Sequence, residues 1–165
     1  MVAPIFTLAQ SRHRARITNL KPLNVLVGEW DLSTTMIPLS GSRTTESGAM
    51  ACVSLYDSTY VECNVRLANA KGQVRSYKQF ITYNAESAQF EVLYLYSGTP
   101  MRIVETGPMK DGTLITTTTI STNPGKPETI TSSLKVVDNN NLWFESRSTA
   151  TSGEVDYTCR YSRKK

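Results

Sequence analysis

The sequence predicts an all-β domain: an antiparallel up-and-down β-barrel of about ten strands, with a short N-terminal helix plugging one end. Three observations predict it. Apolar and polar residues alternate in one short segment after another, from Glu29 almost to the C-terminus. Gly, Pro, Asn and Asp punctuate these segments roughly every dozen residues, leaving no gap long enough for the helix of a parallel crossover. A short apolar helical patch, Leu23, Leu26 and Val27, runs into Gly28 and then into the first strand at Trp30. So many strands in one domain leave edges to manage, and closure removes them. A flat sandwich is the alternative.

Residues 1–21 read as a partly flexible extension with little core potential, and 22–163 as the barrel domain. Pro22 suits a first helical turn, which Gly28 ends. Strands are expected over about 29–37, 43–55, 59–67, 74–83 and 89–96, then about 101–106, 113–121, 128–137, 142–150 and 154–162. The turns between them carry Pro38 and Gly41, Asn69 to Gly72, Asn84 to Ser87, and Gly98 with Pro100. Further on they carry Asp111-Gly112, Asn123-Pro124-Gly125, Asp138 to Asn141, and Ser152-Gly153.

Alternation assigns faces. Trp30, Leu32, Thr34 and Met36 share the inward face of the first strand. Val155, Tyr157, Cys159, Tyr161 and Arg163 share that of the last. The strand at 89–96 is apolar on both faces apart from Glu91, which suits a cover by the N-terminal segment or by a second copy of the chain, or plain burial in a larger core.

Composition excludes several function classes. No apolar run approaches eighteen residues, so no membrane span is expected. The basic residues of the first sixteen follow the apolar ones, the wrong order for a secretory signal; an organelle transit peptide is the alternative. Much of the net charge of +4 lies at the two ends and reads as solvated termini. No basic helix is interleaved with aromatics, so no nucleic-acid partner is expected. Cys52, Cys63 and Cys159 read as free thiols of a reducing, cytoplasmic setting, with a Cys52–Cys63 bridge across a hairpin as the alternative. The single histidine, His13, rules out a histidine metal cluster and argues against a Ser-His-Asp or Cys-His machine, and neither metal nor cofactor is expected.

The segment Gly28-Glu29-Trp30, after its short helix, resembles the opening of the calycins, the lipocalins and fatty-acid-binding proteins. The chain is most similar to an uncharacterised, largely bacterial family of lipocalin-like ten-stranded domains. The likeness rests on Leu26-Val27-Gly28-Glu29-Trp30, Tyr83-Asn84, Glu105-Thr106-Gly107, Asp111-Gly112 and Tyr161-Ser162-Arg163. It implies a barrel floor in which Arg163, or else Arg160, stacks on Trp30 beside Gly28. It implies no ligand, since that family has no common one. Tyr94 and Tyr96 stand where the family carries a tryptophan, and the Arg-x-Tyr of fatty-acid-type barrels is missing from the last strand.

Polar residues on strands supply the candidate ligand-binding set: Tyr94, Tyr96, Tyr157, Tyr161, Arg147, Glu105, Arg66 and Glu62. An inward arginine flanked by tyrosines would trap a carboxylate. The leading reading is a container for a small, largely apolar molecule with a polar or anionic end, held toward the mouth away from Trp30. The second is a barrel enzyme, a cyclase or isomerase, with Tyr94, Tyr157 or Glu105 as acid or base. The third is a structural barrel with a filled lumen that self-associates as a homodimer.

Overall fold

A computed structural model describes residues 4–37, 42–98, 102–123, 126–151 and 155–165. The chain opens with α1 (Pro4–Leu20) and a 3₁₀ turn (Lys21–Leu26), then β1 (Gly28–Met36), β2 (Thr44–Leu55), β3 (Tyr60–Asn69), β4 (Val74–Asn84) and β5 (Gln89–Tyr96). It continues with β6 (Arg102–Gly107), a two-residue β7 (Met109–Lys110), β8 (Thr113–Asn123), β9 (Lys126–Asp138), β10 (Asn141–Ser148) and β11 (Val155–Arg163). Around the barrel the order is β6-β5-β4-β3-β2-β1-β11-β10-β9-β8, and β6 closes on β8. Every pairing is antiparallel. The expected all-β barrel of ten long strands is therefore observed.

Sequence chemistry explains the closure. Asp111 and Gly112 both take left-handed backbone (φ 50° and 72°), the geometry of a tight hairpin that suits strand twist. Gly48 and Gly107 lie where neighbouring strands crowd. A Cβ on either would come within 1.9 Å of a carbonyl oxygen, of Arg66 and of Ile115 respectively. Such mid-strand glycines let a sheet bend into a barrel.

The register gives the barrel two distinct ends. β1 starts beside the end of β11, with Trp30 opposite Arg163, and finishes with Met36 opposite Tyr157. The first end is the floor. There the 3₁₀ turn inserts Leu23 and Leu26 beneath Trp30, and all three are buried. The other end is the mouth.

Three differences from the sequence reading stand out. Residues 4–20 are helical; α1 lies against β4, its Leu20 is buried, and its Arg12 pairs with Glu86 in the turn after β4. The segment shows no apolar stripe and no acidic first turn, so nothing in it signalled a helix. Cys52 and Cys63 are not free thiols. They stand opposite each other on β2 and β3, Cα atoms 4.0 Å apart, and are bonded, which leaves the buried Cys159 as the thiol. Free thiols therefore no longer argue for a reducing compartment. The strand expected to reach residue 150 ends at Ser148, where a short 3₁₀ turn follows. The turn residues Pro38, Gly41, Pro100, Pro124, Gly125, Ser152 and Gly153, with the first residue of each strand expected at 101 and 154, lie outside the described residues. Among the described residues, no helix is long and apolar enough to cross a membrane.

Candidate functional site

The floor is built from groups that satisfy one another. The Arg163 guanidinium carbon lies 4.3 Å from the centre of the Trp30 ring. Its Nη1 donates to the Val27 carbonyl (3.0 Å), Nη2 to that of Val25, and Nε to that of Asn139 (2.9 Å). The Trp30 indole N–H donates to the Leu26 carbonyl at 2.8 Å. Carbonyls at the end of a helical turn lack internal partners, and one arginine fork serves two of them. Gly28 makes this fit possible. Its φ is +127°, and a Cβ there would lie 2.6 Å from Arg163 Nη1. These bonds satisfy the Trp30 N–H and tie all three Arg163 nitrogens to backbone.

The mouth differs. A cavity of about 160 Å³ lies there, lined in part by Arg75, Tyr77, Tyr94, Tyr96, Glu105 and Tyr157. Below it, toward Leu26 and Tyr161, a second chamber holds only about 20 Å³, room for about one water. Arg75 reaches inward from β4 across β3. Its Nε and Nη2 both donate to Glu46 Oε2, at 2.9 and 2.6 Å, and Nη2 also reaches the Tyr157 hydroxyl at 3.2 Å. Burial works against the Arg75 charge, but Glu46, Tyr157 and Tyr77 together outweigh it and hold its pKa above the ordinary value.

Glu105 is the buried acid of this cavity, only 5% exposed. Thr116 donates to its Oε2 at 2.6 Å and Ser132 to its Oε1 at 3.1 Å. Burial raises its pKa, and the hydroxyls of Thr116, Ser132 and Tyr94 offset part of that rise. Burial also pushes the tyrosines up, Tyr157 to about 12 and Tyr94 and Tyr161 well above their usual range, so they stay neutral donors.

Of the residues singled out from sequence, Tyr94, Tyr96, Tyr157 and Glu105 line one cavity, and Tyr161 lines the small chamber beneath. Glu62, Arg66 and Arg147 do not join them. Glu62 and Arg66 alternate with the buried Val61, Cys63, Val65 and Leu67, so they face outward. Glu62 pairs there with Lys78 at 2.6 Å. Arg147 faces outward as well and meets Glu145 at 3.3 Å. The sequence reading missed Arg75, Tyr77 and Glu46. The signal was present: Arg75, Tyr77, Gln79, Ile81 and Tyr83 alternate along β4, and the buried Ile81 marks their face as the inner one.

The chain belongs to the DUF1579 family, described as a protein of unknown function, whose model matches residues 19–164. Among solved structures it is similar to a redesigned β-barrel, with 14% identity over 86% of this chain and 94% of that one, TM-score 0.48. A second redesigned barrel, mFAP0, solved bound to DFHBI, shares 12% identity over 84% of this chain and 99% of its own, also at TM-score 0.48. No curated protein matches the sequence.

Proposed function

We propose that the protein is a small-molecule container of the calycin type, whose ligand enters at the mouth and directs a polar end toward Arg75. One observation carries this reading: the mouth holds a cavity of about 160 Å³ walled by aromatic side chains, with a charged pair and a buried acid in its lining. The floor residues supply the rigid base. The expected anionic end is narrowed by Glu46, which already neutralises Arg75. A hydrogen-bond acceptor suits that wall better than a full negative charge.

Thermal shift and calorimetry on a panel of small apolar and aromatic molecules test the proposal. Tryptophan fluorescence would be a poor reporter, since Trp30 is buried in the floor and Trp143 lies on the outer surface. The expected result is one-to-one binding that disappears in Ile103→Trp, a change that fills the cavity. Binding that survives this change, or no binding across the panel, would overturn the reading.

A second reading, a barrel isomerase or cyclase, is favoured by a specific feature. Glu105 combines burial, a raised pKa and a place in the cavity wall, the conditions for moving a proton to and from a bound substrate.

A further inference from the structure

The ring order sets what the cavity can hold. In the closed ring of ten long strands, β5 and β4 stand second and third, and β11 and β10 seventh and eighth, so the two pairs face each other across the lumen. The inward residues of β4 and β5 at mouth level are Tyr77, Tyr94 and Tyr96, whose ring centres lie 5.3 to 6.4 Å apart. Those of β10 and β11 include Phe144 and Tyr157, 5.8 Å apart. Two aromatic walls thus confront each other. Between them, Arg75 stands at one edge of the space and Ile103 and Ile130 at the other.

The cavity is shallow as well as narrow. It leads inward only to the chamber of about 20 Å³, so there is no tunnel for a long acyl chain. Beside tyrosine and serine hydroxyls, its lining holds one guanidinium and one carboxyl. Arg75 commits Nε and Nη2 to Glu46 and Tyr157, which leaves the N–H groups of Nη1 without a protein partner among the described residues. Nη1 is not among the sealed-off polar atoms, so those donors remain accessible. Glu105 supplies the carboxyl, deeper in the same wall system.

We infer that this cavity is a slot for a flat, neutral ring system, with a carbonyl or other acceptor toward Arg75 and a hydroxyl or N–H toward Glu105. The inference rests on the container reading and specifies its ligand class. Flat rings present π faces to both aromatic walls at once, and offset or edge contacts with such walls are favourable. A carboxylate gains little there because Glu46 occupies the fork of Arg75. A linear chain leaves the walls unfilled.

Calorimetric titration of the full chain with umbelliferone and naphthol, against decanoic acid, tests this. The ring probes should bind, with decanoic acid at least tenfold weaker. Tyr96→Leu should weaken the ring probes roughly tenfold, the loss of one favourable aromatic contact. Tyr77→Leu serves as the second variant where Tyr96→Leu does not fold. Decanoic acid binding as tightly as the rings, or ring affinity unchanged in a folded variant, would overturn the slot and leave the container standing. Failure of all three probes would overturn both.

Discussion

Arg163 and Arg75 lie at opposite ends of one barrel, and each approaches an aromatic ring. Arg163 stands 4.3 Å over Trp30, while Arg75 is 5.5 Å from Tyr157 and 5.8 Å from Tyr77. They differ in what they bond. Arg163 spends one donor from each of its three nitrogens on backbone carbonyls, which carry no charge and cannot titrate. Arg75 is held by the Glu46 carboxylate and a phenol, and its whole Nη1 amino group stays unspent in the lining of a cavity. The same side chain therefore locks one end and leaves recognition chemistry at the other. An arginine whose partners are all backbone belongs to the architecture, whereas one held by side chains in a cavity is available for function.

The largest effect should come from the floor. Trp30 is fully buried under Arg163, so Trp30→Ala should cost about 3–5 kcal/mol by removing a large side chain from a packed site. For a domain of this size that is a fall in melting temperature of roughly 10 °C, measurable by calorimetry. Gly28→Ala should cost less, about 1–3 kcal/mol, because its Cβ needs the 2.6 Å occupied by Arg163 Nη1 and its φ of +127° strains any side chain. The two effects should be coupled through Arg163. In an Arg163→Ala background the Gly28→Ala penalty should shrink to the backbone strain alone. Additive penalties would show that glycine is required there for its backbone conformation and not for the arginine. Neither change should alter ligand affinity, and a large loss of affinity would erase the distinction between the two ends.

Much of the fold was legible because a strand announces its inner face by period two. Trp30, Leu32 and Thr34 on β1, and Cys159 and Tyr161 on β11, are buried and alternate with exposed or half-buried neighbours. The floor was legible for a different reason, the resemblance carried by Gly28, Trp30 and Arg163. The mouth was harder to read. Glu62 and Arg66 on β3 had the polar character of a binding set, but burial of Val61, Cys63, Val65 and Leu67 outweighs it and turns them outward. Arg75 was hidden because β4 mixes polar and apolar residues on both faces, with Val74 and Phe80 outward and Arg75 and Gln79 inward. Its partner Glu46 lies two strands away, a contact that only barrel curvature creates. The Cys52–Cys63 bond was masked by an odd count, although the strand register places the pair directly opposite.

Glu105 offers the sharpest separation of the two ends, because it is a buried carboxyl and the floor is built from a guanidinium, an indole and backbone carbonyls. Burial raises its pKa above the ordinary 4.5, and the hydroxyls around it offset only part of the rise. The folded state thus holds this proton to a higher pH than the unfolded chain does. Its favourable contribution is complete below 4.5 and is lost as pH rises through the folded value. Glu105→Gln keeps the shape and removes the titration, and its amide can both accept from and donate to the hydroxyls of Thr116 and Ser132. Urea midpoints measured from about pH 4 to 8 should therefore diverge, with the variant gaining on the parent as pH rises and the difference levelling off above the folded pKa. Trp30→Ala should instead shift the midpoint by a constant amount across the same range, since the group stacked on the Trp30 ring is a guanidinium and not a carboxyl or an imidazole. Parallel profiles for Glu105→Gln and its parent would mean that the carboxyl is solvated as in an unfolded chain. The mouth would then lack the buried acid on which both the slot and the isomerase reading depend.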